Sequence, residues 1–135
     1  MSFIEWNDSY KLGVWEIDTQ HERWFALTNE LHDAMLAGKG SRLIGTTLAA
    51  MLDYGRTHFV DEERLMVRHG YPKFAEHKAI HDSFFISLRG LEQKRKQRQL
   101  PITLEVMDTM RNWLLNHIAG SDREFGVFLK KKGVV

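Results

Sequence analysis

The chain has 135 residues, 43% of them hydrophobic, a formal net charge of +1 and no cysteine. That length suits one domain with one core, and the near-neutral balance gives no broad field for nucleic acid or an anionic membrane surface. Without cysteine there are no disulfides, thiolate zinc sites or iron–sulfur clusters.

No window approaches the roughly 20 apolar residues that a membrane helix needs. The acidic start, Met1-Ser2-Phe3-Ile4-Glu5-Trp6-Asn7-Asp8, lacks the basic and apolar regions of a signal peptide. The expectation is a monomeric cytoplasmic protein with one domain over residues 1–135, no membrane insertion and no nucleic-acid partner.

Residues 1–17 scatter Phe3, Ile4, Trp6, Tyr10, Val14 and Trp15 without a sustained period. Disordered segments are poor in aromatics, so this reads as an ordered arm laid over the domain. A first helix is predicted over about 19–37, opened by a capping box of Thr19 and Glu22 and stopped at Gly38 and Gly40. Its seam is His21, Trp24, Thr28, Leu31 and Met35, at three-and-four spacing.

A second helix over about 41–68, with Ser41 as its N-cap, carries Ile44, Leu48, Met51, Gly55, His58, Glu62 and Leu65 on one seam. Gly70 ends it and Pro72 suits the first turn of a third helix, about 73–97. The third seam is Phe74, His77, His81, Phe84, Leu88 and Leu91, and the basic run 94–98 closes it. Pro101 opens a fourth helix over about 102–119 with the seam Thr103, Val106, Met110, Trp113 and His117. Gly120 should end or distort it, before a short helical segment over 122–132.

Four such seams with short connections predict an all-α, antiparallel up-down-up-down four-helix bundle behind an N-terminal arm. The polar residues fall in an informative place. His58 and Glu62 stand at i and i+4, as do His77 and His81, about 40° apart around a helix and about 6 Å along it. With His21 and His117 they lie on the seams that should be core. In an alternating bundle all of them collect at one end.

Asp122 completes the set only if the last helix distorts, because an i, i+5 pair is about 140° apart on a regular α-helix. A π-type widening or a frayed turn near Gly120 would re-aim it. Any one of these histidines alone would more often be an ordinary core or surface residue. Together, five imidazoles and two carboxylates are more than one ion normally takes. Buried without partners, each would cost on the order of 1–3 kcal/mol, and the carboxylates should resist ionisation.

Two octahedral metals sharing both carboxylates and one oxo or hydroxo bridge would be filled by this set except for a single place. His32 and His69 lie outside the constellation and are expected to face solvent. The basic runs read as solvated helix ends.

The set His21, His58-x3-Glu62, His77-x3-His81, His117-x4-Asp122 resembles the signature of the hemerythrin family, the single-domain bacterial hemerythrins in particular. The flanks agree: Ile17-Asp18 and Gln20, Gly70-Tyr71-Pro72, and Trp113-Leu114. The resemblance implies two non-haem iron ions, oxo- or hydroxo-bridged, that bind O2 reversibly for carriage, storage or delivery to a protein recipient.

It also implies that His77, His81 and His117 hold one full iron, that His21 and His58 hold the iron with the open place, and that Glu62 and Asp122 bridge. It places Phe59, Trp113 and Leu114 around the O2 pocket. An O2 or NO sensor or scavenger is the alternative, and a sensor would need a separate partner protein. So is a di-iron oxidase or peroxidase, but oxygen-activating bundles use Glu-x-x-His on two helices, and no Glu-x-x-His occurs in this chain. The expectation is a binding protein and not an enzyme.

Overall fold

Helix α1 begins at Trp15 and runs to Leu36, so it starts before Thr19. The Thr19–Glu22 capping box is therefore inside the helix and does not open it. Val14 is the extended residue at the N-cap and supplies no side-chain cap. Asp18 turns back instead, and its carboxylate accepts the backbone N–H groups of Leu12 at 2.7 Å and Gly13 at 3.1 Å. A side chain that reads locally as part of a helix start fastens the arm.

The computed structural model describes residues 3–38, 41–97 and 104–135. A 3-10 turn at Asp8–Tyr10 precedes α1; then follow α2 (Ser41–His69), α3 (Phe74–Lys96) and α4 (Leu104–His117). A π-turn, Ile118–Asp122, joins α4 to α5, Arg123–Lys131. The chain is an all-α antiparallel four-helix bundle. Gly40, Pro101, Thr103 and Arg98, which figured in the predicted caps, seam and basic run, lie outside the described residues. Ser41 is the first residue of α2 and so not its N-cap.

Gly70 closes α2 at φ 68°, a left-handed conformation that glycine adopts without a Cβ penalty. The N–H of Tyr71 then reaches the carbonyl of Met66 at 2.9 Å and the N–H of Gly70 that of Val67 at 3.2 Å. That is a Schellman ending. Pro72 stands in the turn between helices, and α3 starts just beyond it at Phe74.

The arm covers the bundle as its aromatics suggest. Ile4 is buried and exchanges two hydrogen bonds with the Asn29 amide, at 2.9 and 2.8 Å. Trp6 and Tyr10 pack edge-on against Phe25, with ring centroids 5.2 and 5.4 Å away. Trp15 is the exception, with 74% of its surface exposed.

Two apolar clusters result. The larger fills the bundle with Leu31, Leu48, Met51, Phe59, Met107 and Leu114 among others. The smaller caps one end, where Leu12, Val14 and Ile17 meet Met66, Tyr71, Phe125 and Leu129. Burying each such side chain contributes about 1.5–3 kcal/mol. The polar layer lies between them.

Gly55, in the middle of α2, marks a close approach to α1. A Cβ there would stand 2.7 Å from Cζ2 of Trp24. Gly55→Ala gains helix propensity of about 1 kcal/mol but overpacks the contact. A net loss of about 1–2 kcal/mol in chemical denaturation is expected, with a shifted tryptophan emission. Unchanged stability and emission would mean that Trp24 does not rest on Gly55.

Candidate metal centre

All seven candidate ligands are buried, none with more than 6% of its surface exposed. His21 comes from the first turns of α1, His58 and Glu62 from the second half of α2, His77 and His81 from the start of α3, and His117 from the end of α4. Asp122 follows from the π-turn. Its wider i→i+5 bonding brings residues five apart nearly into line, so Asp122 and His117 face the same interior. Of the two distortions that the sequence allowed, the chain adopts the π-type widening. Gly120 neither ends the helix nor is needed for space, since a Cβ there would meet nothing within 4 Å.

Each carboxylate presents its two oxygens to two different sets of imidazoles. Glu62 Oε1 lies 3.0 Å from His77 Nε2 and 3.4 Å from His81 Nε2, whereas its Oε2 lies 3.1 Å from His58 Nε2 and 3.9 Å from His21 Nε2. Asp122 repeats the pattern. Its Oδ1 lies 2.9 Å from His77 Nε2 and 3.1 Å from His117 Nε2, and its Oδ2 lies 3.1 Å from His21 Nε2.

On one side three ring nitrogens converge, with His117 Nε2 at 3.2 Å from that of His77 and 3.0 Å from that of His81. The donor atoms fall into two groups. One is His77, His81 and His117 with both carboxylates; the other is His21 and His58 with the same two carboxylates.

Among the described residues, both nitrogens of His21, Nε2 of His58 and all four carboxylate oxygens lack a hydrogen-bond partner. Left so, each would cost on the order of 1–3 kcal/mol. Donors aimed at two common points rather than at one another have the geometry that two cations would satisfy. Imidazole nitrogen with carboxylate oxygen is a donor set suited to iron.

The electrostatics point the same way. Burial and the Asp122 charge both push Glu62 up, yet the imidazoles of His58, His77 and His81 outweigh them and hold its carboxyl below the usual range. Burial likewise opposes ionisation of Asp122, and His117, His21 and His77 reverse it. The expectation that these carboxylates resist ionisation is thus corrected, because hydrogen bonding and attraction from the imidazoles opposite them outweigh burial. Burial alone would lower His77, but Asp122 and Glu62 raise it to about 9. His81 is raised by Glu62 and Glu63 against its burial, and His58 is lowered by burial.

Aromatic rings wall the layer. Phe59 stacks on His81 with centroids 3.9 Å apart and planes 5° off parallel, and Trp113 stacks on His117 at 4.6 Å and 14°. Leu114 is buried in the larger apolar cluster, with Phe59 and Trp24. The Trp24 ring centroid lies 5.8 Å from that of His58, a candidate ligand of the smaller group.

His32 and His69 belong to neither donor group. Both are half-buried; His32 stacks under Phe3 at 4.0 Å, a partner that comes from the distant arm.

The outer nitrogens of two histidines have partners that periodicity does not reveal. His58 Nδ1 donates to Gln20 Oε1 at 2.7 Å, and His81 Nδ1 to Glu63 Oε2 at 2.9 Å. Gln20 and Glu63 each adjoin a ligand in sequence. Their position about 100° around the helix from it is the only signal that could have found them.

The family described as the Hemerythrin HHE cation binding domain matches residues 12–129. The chain is 34% identical over 127 residues to the bacteriohemerythrin of Methylococcus capsulatus, covering 93% of this chain and 96% of that one. It is equally identical over 125 residues to the bacteriohemerythrin of Stenotrophomonas maltophilia, covering 93% and 80%. It is 26% identical over 121 residues to the myohemerythrin of Theromyzon tessulatum, covering 90% and 89%.

A wild-type hemerythrin crystal structure superposes with a TM-score of 0.88 at 33% identity, covering 95% of this chain and 98% of that one. The family binds a di-iron centre, and the buried imidazoles and carboxylates described above are able to hold one. With its bundle, its donor set and nearly its whole length in agreement, this chain belongs to the hemerythrin family.

Proposed function

We propose that the protein binds O2 reversibly for carriage, storage or delivery, and is not an enzyme. The observation that carries this reading is the split of each carboxylate between two donor groups of unequal size. His77, His81 and His117 face one oxygen of Glu62 and Asp122, and only His21 and His58 face the other. The smaller group leaves room for one small ligand.

His21, His58, Glu62, His77, His81, His117 and Asp122 would hold and space two ferrous ions, which would supply the electrons that O2 takes up and returns. Phe59, with its ring centroid 5.9 Å from that of His58 and its ring stacked on His81, would with Leu114 and with Trp113 on the His117 side keep water and anions from the open place. Dry surroundings disfavour the separation of charge that would release superoxide or peroxide. Five imidazoles with two carboxylates also donate less charge than the carboxylate-rich sets of oxygen-activating bundles, which favours holding O2 over cleaving it.

The test is an absorption spectrum of the reduced, iron-loaded protein through cycles of air and deaeration. Colour that appears with air and bleaches on deaeration is expected; colour that never bleaches would favour an oxidase or peroxidase. Leu114→Asn should leave the iron content unchanged and speed decay in air to the diferric form about tenfold. An unchanged decay rate would return Leu114 to core packing alone.

A further inference from the structure

The two donor groups are backed by different chemistry. Behind His81 stands the Glu63 carboxylate, 2.9 Å from Nδ1. Behind His58 stands the Gln20 amide, whose Oε1 lies 2.7 Å from Nδ1 and whose Nε2 donates to Asp61 Oδ2 at 2.8 Å. The amide cannot be reversed. Asp61 only accepts, so the Gln20 nitrogen must face it and the oxygen must face His58. An amide oxygen also only accepts, so Nδ1 of His58 carries the proton and Nε2 is left free toward Glu62. Asp61 is held in turn by Arg64, at 3.6 Å.

Both imidazoles therefore have a fixed tautomer and a fixed ring plane, but of the two only His81 has an anion against its outer nitrogen. A carboxylate on the outer nitrogen strengthens the inner one as a donor and adds negative charge, which favours the ferric state of an ion held there. A neutral amide does so much less.

We propose that Gln20 is a positioning residue for the His21/His58 group: clamped by Asp61, it aims His58 and withholds from it the direct anionic contact that Glu63 gives His81. The consequence is a pair of unequal ions, the one on the His21/His58 side held more firmly ferrous. This rests on the proposed di-iron function, but the clamp itself does not.

The discriminating variant is the exchange Gln20→Glu with Asp61→Asn. It leaves net charge and the hydrogen-bond chain unchanged, since the new amide donates to the new carboxylate, and moves the negative charge one hydrogen bond closer to His58. The readout is the one-electron reduction of each ferric ion to ferrous, titrated with dithionite in the iron-loaded protein. The exchange should shift the midpoint of one ion to lower potential and leave the iron content as in the parent. Asp61→Asn alone should leave the midpoints nearly in place, and Glu63→Gln should shift the other ion to higher potential.

A second measurement needs no iron. In zinc-loaded protein, 15N spectra of His58 should show Nδ1 protonated, and Gln20→Met should lower metal affinity about tenfold or more. Parent midpoints in the exchange variant, at full iron content, would overturn the proposal, as would a His58 that keeps its spectrum and affinity in Gln20→Met. Failure of the parent protein to bind O2 reversibly, together with a shifted midpoint in the exchange variant, would sink the proposed function and leave the role of Gln20 standing.

Discussion

Removing the iron should lower the melting temperature by roughly 10–20 °C, for a loss of about 4 kcal/mol in a chain of this size. The cause is local. Four carboxylate oxygens and several imidazole nitrogens are buried and unpartnered between two apolar clusters, and only ions or protons can satisfy them. Protons do so in part. His77, raised to about 9 from the ordinary value of 6.5, is held protonated between Glu62 and Asp122.

Its stabilising contribution is fully present below 6.5 and disappears as pH rises through about 9. Glu62 and Asp122, both lowered, contribute above their ordinary values of 4.5 and 3.8 and lose that contribution as they take up protons in acid. The iron-free protein should therefore melt progressively lower between pH 7 and 10, while the iron-loaded protein changes far less over that range. Calorimetry at several pH values checks both statements. Equal melting temperatures with and without iron would place the donor set in contact with solvent.

Ligand losses should be unequal. Glu62→Ala removes the one side chain that touches His58 and His77 through different oxygens, at 3.1 and 3.0 Å, and should cost most of the iron and most of the stability that iron confers. His58→Ala deletes one of only two imidazoles in the smaller group and should abolish reversible O2 binding, with part of the iron retained. His32→Ala and His69→Ala should leave iron and O2 binding unchanged, although loss of the Phe3 stack gives His32→Ala a small cost in stability. Metal loss in either control would contradict the ligand set; unchanged O2 binding in His58→Ala would move the open place elsewhere.

The bundle and the gathering of the seven side chains could be read from the sequence because both depend on period. Trp24, Thr28 and Leu31 repeat at three and four from His21, and all are buried. The need for a distortion at Asp122 was equally visible, but its form was not, since nothing in Ile118-Ala119-Gly120-Ser121 distinguishes a π-turn from a frayed end.

Hidden features share one property: the fold, and not the helical period, brings their partners to them. Asp18 looks like part of a helix start until the arm folds back and presents Leu12 and Gly13 to it. His32 looks exposed until Phe3 covers it. Gln20 and Asp61 lie 41 residues apart and meet only when α1 packs on α2. Local spacing carries no signal for such pairs.

The most direct measurement is the number of irons per folded chain, with their magnetic coupling. Because Glu62 and Asp122 are each divided between two groups of imidazoles, two magnetically coupled irons per folded chain are expected. One iron per chain, two uncoupled irons, or a single zinc that air leaves unchanged would contradict the site as described.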